Sequence, residues 1–247
     1  MKYLSQSING LKQFIFPRPC PGCQRNLFKF EKVLCNICLN DLTIIQNHPN
    51  QNSLILDRLA GRVDLKQAFA MMRFYQGGIA QKLLHAIKYH KKEKLAIELG
   101  RIFGESLKEN LIFDDSTIIV PVPIHPLKLQ VRGYNQSDKI ADGISKSLGI
   151  PLKSNAMERI QFHVSQTKKG KEARWEEIKN DFIAKSEEVK DRDIILVDDV
   201  CTSGATIEAC ANALNIKSVK SISLLTIAIA GDYQQGKSDT IYFTGLW

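Results

Sequence analysis

Short apolar runs alternate with amphipathic stretches from about residue 65 onward, and that alternation predicts the architecture. Ile194 to Val197 is a continuous β-branched and aliphatic run, which suits a strand buried on both faces of a parallel sheet. Ile118 to Val120 is a second such run, ended by Pro121 and Pro123, which cannot continue a central ladder. Leu65 to Tyr75 alternates Ala68, Ala70 and Met72 against Phe69, Met71 and Arg73, and Val219 to Ala230 supplies a last apolar strand. Helical periods lie between these runs. Ile79 to Tyr89 gathers Ile79, Leu83, Leu84 and Ile87 on one face, and Leu95 to Leu107 gathers Ile97, Leu99, Ile102 and Phe103. Lys139 to Leu148, with Ser137 as its cap, and Ile207 to Leu214 are two more. Strands alternating with helices predict an α/β fold: a parallel sheet flanked by helices. Residues 39 to 66 are polar and rich in Asn and Gln and read as a connector, and Ile124 to Gln136 reads as a loop. Leu4, Ile8, Leu11 and Ile15 predict a short amphipathic helix over Met1 to Phe16, packed on its own protein, with membrane contact the less favoured use.

The chemistry concentrates where the Ile194 run ends. Asp198 and Asp199 follow it at once, and Thr202, Ser203, Gly204, Ala205 and Thr206 then form a small, hydroxyl-rich turn before a helix. Ligands of open α/β sheets bind beyond the carboxyl ends of strands. A turn of small residues opening a helix offers free backbone N–H groups and a positive dipole end, which suits a phosphate. The carboxylates would repel that phosphate, so they must face something else, and vicinal ribose hydroxyls donate the two bonds a carboxylate accepts. A ribose 5-phosphate meets both demands. The glycine spacing of a nucleotide P-loop is absent, and no Lys follows Gly204.

Cysteine spacing carries a second signal. Cys20-Pro-Gly-Cys23 and Cys35-Asn-Ile-Cys38 are separated by eleven residues, and each pair has the spacing that lets two thiolates reach one metal. The segment between them is too small to own a hydrophobic core, so a bound metal, best matched by zinc, would supply its folding energy. A dithiol switch is the redox alternative, and two pairs this close argue against it. A closed four-sulfur site has no open position for substrate and is structural or interaction-bearing. Cys210 reads as helix packing and Cys201 as a small residue of the phosphate turn, not a nucleophile.

Composition is that of a globular chain: 247 residues, 24% of them charged, with a formal charge of +8 that fits a polyanionic partner, nucleic acid or phosphorylated small molecule. Lys88, His90, Lys91, Lys92 and Lys94 cluster after one predicted helix, as a solvated helix end or as a phosphate- or nucleic-acid-binding patch. No run reaches transmembrane length, and the polar residues in Met1 to Phe16 interrupt any signal-peptide core, so a cytoplasmic location without membrane insertion is expected.

Ile194 to Thr206 resembles the phosphoribosyl pyrophosphate motif of type I phosphoribosyltransferases. Together with Tyr75-Gln-Gly-Gly78, His85-Ala-Ile-Lys88, Pro121-Val-Pro123 and Arg132-Gly-Tyr-Asn-Gln136, it makes the chain resemble the ComF family of competence-associated phosphoribosyltransferase-like proteins, from Cys20 to about Thr226. The resemblance implies a type I phosphoribosyltransferase-like domain over 65–247. It places an amino-terminal helix, a four-Cys zinc module of Cys20, Cys23, Cys35 and Cys38, and a connector over 1–64. It implies that Asp198 and Asp199 are the catalytic acids, orienting the ribose directly or through Mg²⁺, with Thr202, Ser203, Gly204, Ala205 and Thr206 around the ribose phosphate. The diphosphate falls near Val122, Pro123 and Lys128, with Arg132 as its charge partner or, alternatively, in a structural ion pair with Asp138. Arg159, Gln166 and Arg174 match a flexible catalytic loop, whereas Glu177 stands where the family has Asn, which leaves base recognition open. That basic loop would close over a polyphosphate or track a nucleic-acid backbone, with Phe162 and Trp175 as stacking surfaces. The implied function is a factor in natural transformation that binds phosphoribosyl pyrophosphate, contacts single-stranded DNA and works with other DNA-uptake proteins. The alternatives are a metabolic phosphoribosyltransferase acting on a free nucleobase or amine, with release of pyrophosphate, and a scaffold with a vestigial phosphate site.

Overall fold

A computed structural model describes residues 17–42, 44–45, 54–160, 181–185, 187–230 and 240–241. The predicted helix at Met1 to Phe16 and the carboxy-terminal aromatics Tyr242, Phe243 and Trp247 lie outside the described residues. No described helix is long and apolar enough to cross a membrane.

The four apolar runs become the parallel strands of one sheet: β2 (Gln67–Phe74), β3 (Ile118–Pro121), β6 (Asp193–Cys201) and β7 (Ser221–Ala230). Their spatial order is β3-β6-β7-β2, and two two-residue strands, β1 (Ile44–Ile45) and β8 (Thr240–Ile241), extend it antiparallel beyond β2. Strand β6 runs further than the Ile194–Val197 run suggests. Strand β7 is long enough to pair Val200 with Ala228 and Cys201 with Ile229, so both acids lie within the strand. Strands β4 (Met157–Arg159) and β5 (Phe182–Ala184) form a separate antiparallel pair.

The predicted helices are α3 (Ile79–Tyr89), α4 (Glu93–Leu107), α6 (Gln136–Leu148) and α7 (Ala205–Asn215). Three shorter ones complete the set among the described residues: α1 (Asn36–Asn40), α2 (Leu54–Leu59) and α5 (Pro126–Arg132). Helix α5 corrects the loop reading of Ile124 to Gln136, and α2 lies within the stretch read as a connector. Pro126 starts α5 with its φ already helical, the His125 ring caps it, and Gly133 ends it at a φ of 82°. Ser137 does not cap α6; the Asn135 side chain does, accepting from Ser137 N.

Strand β6 has apolar residues on both faces, as a central parallel strand requires. Ile195 and Val197 join one core with α3, α4 and α6, whereas Ile194 and Leu196 join a second core with α7, α2 and the β4–β5 pair. The chain leaves β3 toward α6 on the first face and leaves β6 toward α7 on the second. Adjacent strands with outward connections on opposite faces make a topological switch point, the place where open α/β sheets bind ligands beyond the strands' carboxyl ends. On the first face, helices α4 and α6 meet almost backbone to backbone: a Cβ on Gly100 would lie 2.1 Å from Ile140 O, and one on Gly143 2.0 Å from Ile97 O.

Gly143→Ala should therefore cost about 2 kcal/mol or more, read as a lower urea midpoint at unchanged slope. A wild-type midpoint would show that the two helices separate freely.

Candidate functional site

Two carboxylates end β6, and both reach partners on helices of the first face of the sheet. Asp199 is buried, and its Oδ2 lies 2.9 Å from Lys88 Nζ on α3. Asp198 is less buried; its Oδ1 accepts from Ser137 Oγ at 3.0 Å and from Asp199 N at 2.8 Å. Burial, and then the charge of Asp199, push the Asp198 carboxyl up to about 7, against the hydrogen bonds and Lys88, which act the other way. Among the described residues no protein group bonds Asp198 Oδ2 or Asp199 Oδ1.

The predicted phosphate turn follows directly. Thr202 and Ser203 are exposed, and Gly204 is buried with a φ of 80°. That backbone favours glycine, and a Cβ there would meet Leu59 Cδ2 at 2.3 Å. Two arginines that sequence reasoning missed grip the outside of the turn. Arg58 donates to Cys201 O and Thr202 O at 3.3 and 2.8 Å, and Arg62 donates to Ser203 O at 2.7 Å while holding Glu208. Their signal was faint, because they lie in the short helix α2 and just beyond it. Ala205 N donates to Ser203 Oγ at 3.5 Å, and the helical ladder of α7 begins only at Glu208 N, which donates to Gly204 O at 3.0 Å.

The Arg132–Gln136 string works as a clamp. The Tyr134 hydroxyl donates to Ile87 O and so fixes the end of α3 next to Lys88; burial raises this phenol to about 12. Asn135 Nδ2 donates to Val122 O at 3.0 Å, which ties the Pro121–Pro123 segment to the start of α6. Arg132 donates to Gln136 Oε1 at 2.8 Å and lies over the Tyr89 ring; it makes no ion pair with Asp138. Val122 is buried, Pro123 half-buried, and His125 accepts from Leu127 N through Nδ1, which requires that nitrogen to be unprotonated. Burial, followed by the charges of Arg159 and Lys128, lowers the His125 pKa in keeping with that bond. Lys128 is also lowered, by burial first and then by Arg159, Arg132 and Lys88, with Asp199 opposing. Lys128 is thus near enough to feel Lys88, Arg132, Arg159 and Asp199, and of these cations Lys88 is the one that touches the doublet. Arg159 pairs with the buried Asp181 at 2.9 Å and stacks over Phe182, so it is anchored in the β4–β5 pair. Gln166 and Arg174, with Phe162 and Trp175, lie outside the described residues.

The four sulfurs of Cys20, Cys23, Cys35 and Cys38 lie within 4.8 Å of one another. A tetrahedral zinc with ~2.3 Å bonds would set them about 3.8 Å apart, and Cys23 Sγ and Cys35 Sγ are 3.6 Å apart. Cys35 N points at Cys20 Sγ (3.5 Å) and Cys38 N at Cys35 Sγ (3.4 Å), bonds that favour thiolates. Burial raises the Cys35 thiol, but these neighbours outweigh it and bring it down to about 7. A Cβ on Gly22 would meet Cys38 Sγ at 2.7 Å, so the first turn has room only for glycine. The donor set and its spacing fit a metal such as zinc. Buried Glu31 joins the two turns by accepting from Phe28 N, Asn36 N and Arg25. Cys20, Cys35 and Cys38 share the first core with Leu83, Leu84 and Ile87 of α3. Cys201 and Cys210 are buried apart from this cluster, and burial raises both thiols, so neither is a ready nucleophile.

The phosphoribosyl transferase domain family matches residues 138–245. Competence protein F of Haemophilus influenzae is 32% identical over 114 residues, 45% of this chain and 50% of that protein. DNA utilization protein YhgH of Salmonella typhi is 29% identical over 138 residues, 53% of this chain and 59% of that one. Competence protein ComFC of Bacillus subtilis is 27% identical over 118 residues, 45% of each. The chain spans about half the length of the curated relatives it matches.

The folded Asp198 carboxyl titrates near 7, and an unfolded one near about 3.9. Between these values the folded state holds the extra proton, so stability falls as pH rises and the penalty is complete above about pH 7. Asp198→Asn should flatten this part of the profile and exceed wild type in stability at the upper end, measured by urea unfolding of zinc-loaded protein without added Mg²⁺. Parallel wild-type and variant profiles would place the titration elsewhere.

Proposed function

We propose that this chain, a homologue of Competence protein F, ComFC and YhgH with a phosphoribosyl transferase domain, is a DNA-uptake factor that binds phosphoribosyl pyrophosphate and contacts single-stranded DNA. The observation that carries the reading is the acidic doublet of β6, with Lys88 on Asp199 and Lys128 within range of its charge, and the small-residue turn beside it. Cations alone would suit any anion. Cations around two carboxylates suit a ligand with hydroxyls between two phosphoryl groups.

In this reading Asp198 Oδ2 and Asp199 Oδ1 accept from the ribose hydroxyls, and the amides and hydroxyls of Thr202, Ser203, Gly204, Ala205 and Thr206 take the 5-phosphate. Lys128 and Arg132, beside Val122 and Pro123, face the diphosphate, Arg132 by releasing Gln136 for bidentate contact. Mg²⁺ binds diphosphates through few carboxylates while keeping its waters, and where it is bound the two acids would orient the ribose through it rather than directly; it would neutralise charge on the diphosphate. Arg159, Gln166 and Arg174 belong to the segment that closes the site. Negative charge at the doublet would favour positive charge developing at the anomeric carbon if an acceptor displaces the diphosphate. The relatives' names favour DNA handling over nucleobase metabolism, and so does a four-Cys cluster that shares its core with the helix carrying Lys88. Zinc in that cluster is structural, because four thiolates leave it no open position.

Calorimetry with phosphoribosyl pyrophosphate and Mg²⁺ should show binding that Asp198→Ala combined with Asp199→Ala abolishes; equal affinity in the double variant would refute the assignment. Metal analysis should return one zinc per chain, and Cys35→Ser should lose it together with the fold of the amino-terminal segment. A metal-free chain that is fully folded would overturn the zinc reading.

A further inference from the structure

A cavity of about 500 Å³ lies between the Cys20–Cys23 turn and helix α3, away from the acidic doublet. Pro21 and Gln24 form one wall, and Lys82, His85, His90 and Lys92 line the other side; none of its lining residues is acidic. Lys82 and Lys92 are exposed and have no carboxylate partner among the described residues. A solvated helix surface normally intersperses both signs of charge, so a cavity with two unpaired lysines and no acid is selective for anions. Ring faces continue from it along α3. His90 meets His85 edge-on at 5.3 Å, His85 lies 4.8 Å from Tyr89, and the far end of the series is Arg132, 5.6 Å from the Tyr89 ring. Tyr89 is 61% exposed, so nothing within the described chain covers this platform.

We propose that this cavity and the His90–His85–Tyr89–Arg132 series form the track for single-stranded DNA, leading the strand from the four-Cys turn to the phosphoribosyl site. The inference rests on the DNA contact proposed above and gives it a location. Unpaired lysines follow the backbone, and flat rings accept bases without regard to sequence, which is the combination single-strand binders use. A duplex hides its base faces, so the stacking part of the track would go unused by it. Arg132 belongs both to this series and to the proposed diphosphate side, so the strand and the sugar ligand would meet there. Helix α3 thus serves two ligands from one scaffold: Lys88 reaches Asp199, while Lys82 and His85 line the cavity.

The test is fluorescence anisotropy with labelled oligothymidylate across a salt series, with calorimetry of phosphoribosyl pyrophosphate and Mg²⁺ on the same zinc-loaded full-length preparations. Lys82→Glu with Lys92→Glu should weaken oligothymidylate binding at least tenfold. It should also make the slope of log affinity against log salt shallower by about 1.4, two phosphate contacts at ~0.7 each. His85→Ala should weaken binding about fivefold or more with little change in slope. Calorimetry should give wild-type affinity for the sugar ligand in the lysine variant, which confirms that it is folded. Wild-type oligothymidylate affinity in both variants overturns the track and leaves the proposed function standing. Failure of the unaltered protein to bind oligothymidylate at low salt overturns the track and the DNA part of that function together, while its calorimetry still reports separately on the sugar-phosphate site.

Discussion

Two neighbouring carboxylates at the end of a largely buried strand are the constraint around which the rest is arranged. Like charges a few ångströms apart, partly withdrawn from water, repel by a few kcal/mol unless the protein answers them. This chain answers each differently. Asp199 receives a full charge from Lys88, and Asp198 receives a hydroxyl and a backbone amide and leans toward its protonated form. Both partners come from helices on the first face of the sheet, α3 and α6. The Tyr134 clamp on Ile87 therefore bears directly on the doublet, because it sets where Lys88 stands.

The small-residue turn after β6 depends on close approach as well as charge. Gly204 combines a left-handed backbone with contact against Leu59, and three successive carbonyls, of Cys201, Thr202 and Ser203, are drawn toward Arg58 and Arg62. Short helix α2 thus braces the turn from behind and sets two guanidinium groups beside it. The four-Cys segment is braced in the opposite sense. Its buried cysteines share one apolar core with Leu83, Leu84 and Ile87 of α3, the helix that also carries Lys88.

Much of the site was legible in the order of the residues. An apolar run ending in Asp198-Asp199 and a small-residue turn specifies strand, acids and helix start through local rules alone, and paired Cys-x-x-Cys spacing specifies a four-sulfur cluster. Helices α3, α4, α6 and α7 were legible for the same reason, since their apolar periods are strong. Helix α5 was not: Pro126, Gly133 and exposed Val131 look like a loop until the His125 ring is seen capping it. The reach of β6 to Cys201 depended on the length of its neighbour β7, which no local pattern in β6 contains.

What the sequence by itself determined was the chemistry available and the strand and turn that present it, because those follow from neighbours a few positions apart. What only the tertiary structure decided was the pairing across distance: Lys88 to Asp199, Ser137 to Asp198, Arg58 and Arg62 to the turn, Arg159 to Asp181. A lysine in a basic cluster looks the same on paper whether it meets solvent or a buried carboxylate. The difference arises when the sheet order places α3 and the end of β6 together, and sheet order is a property of the whole chain.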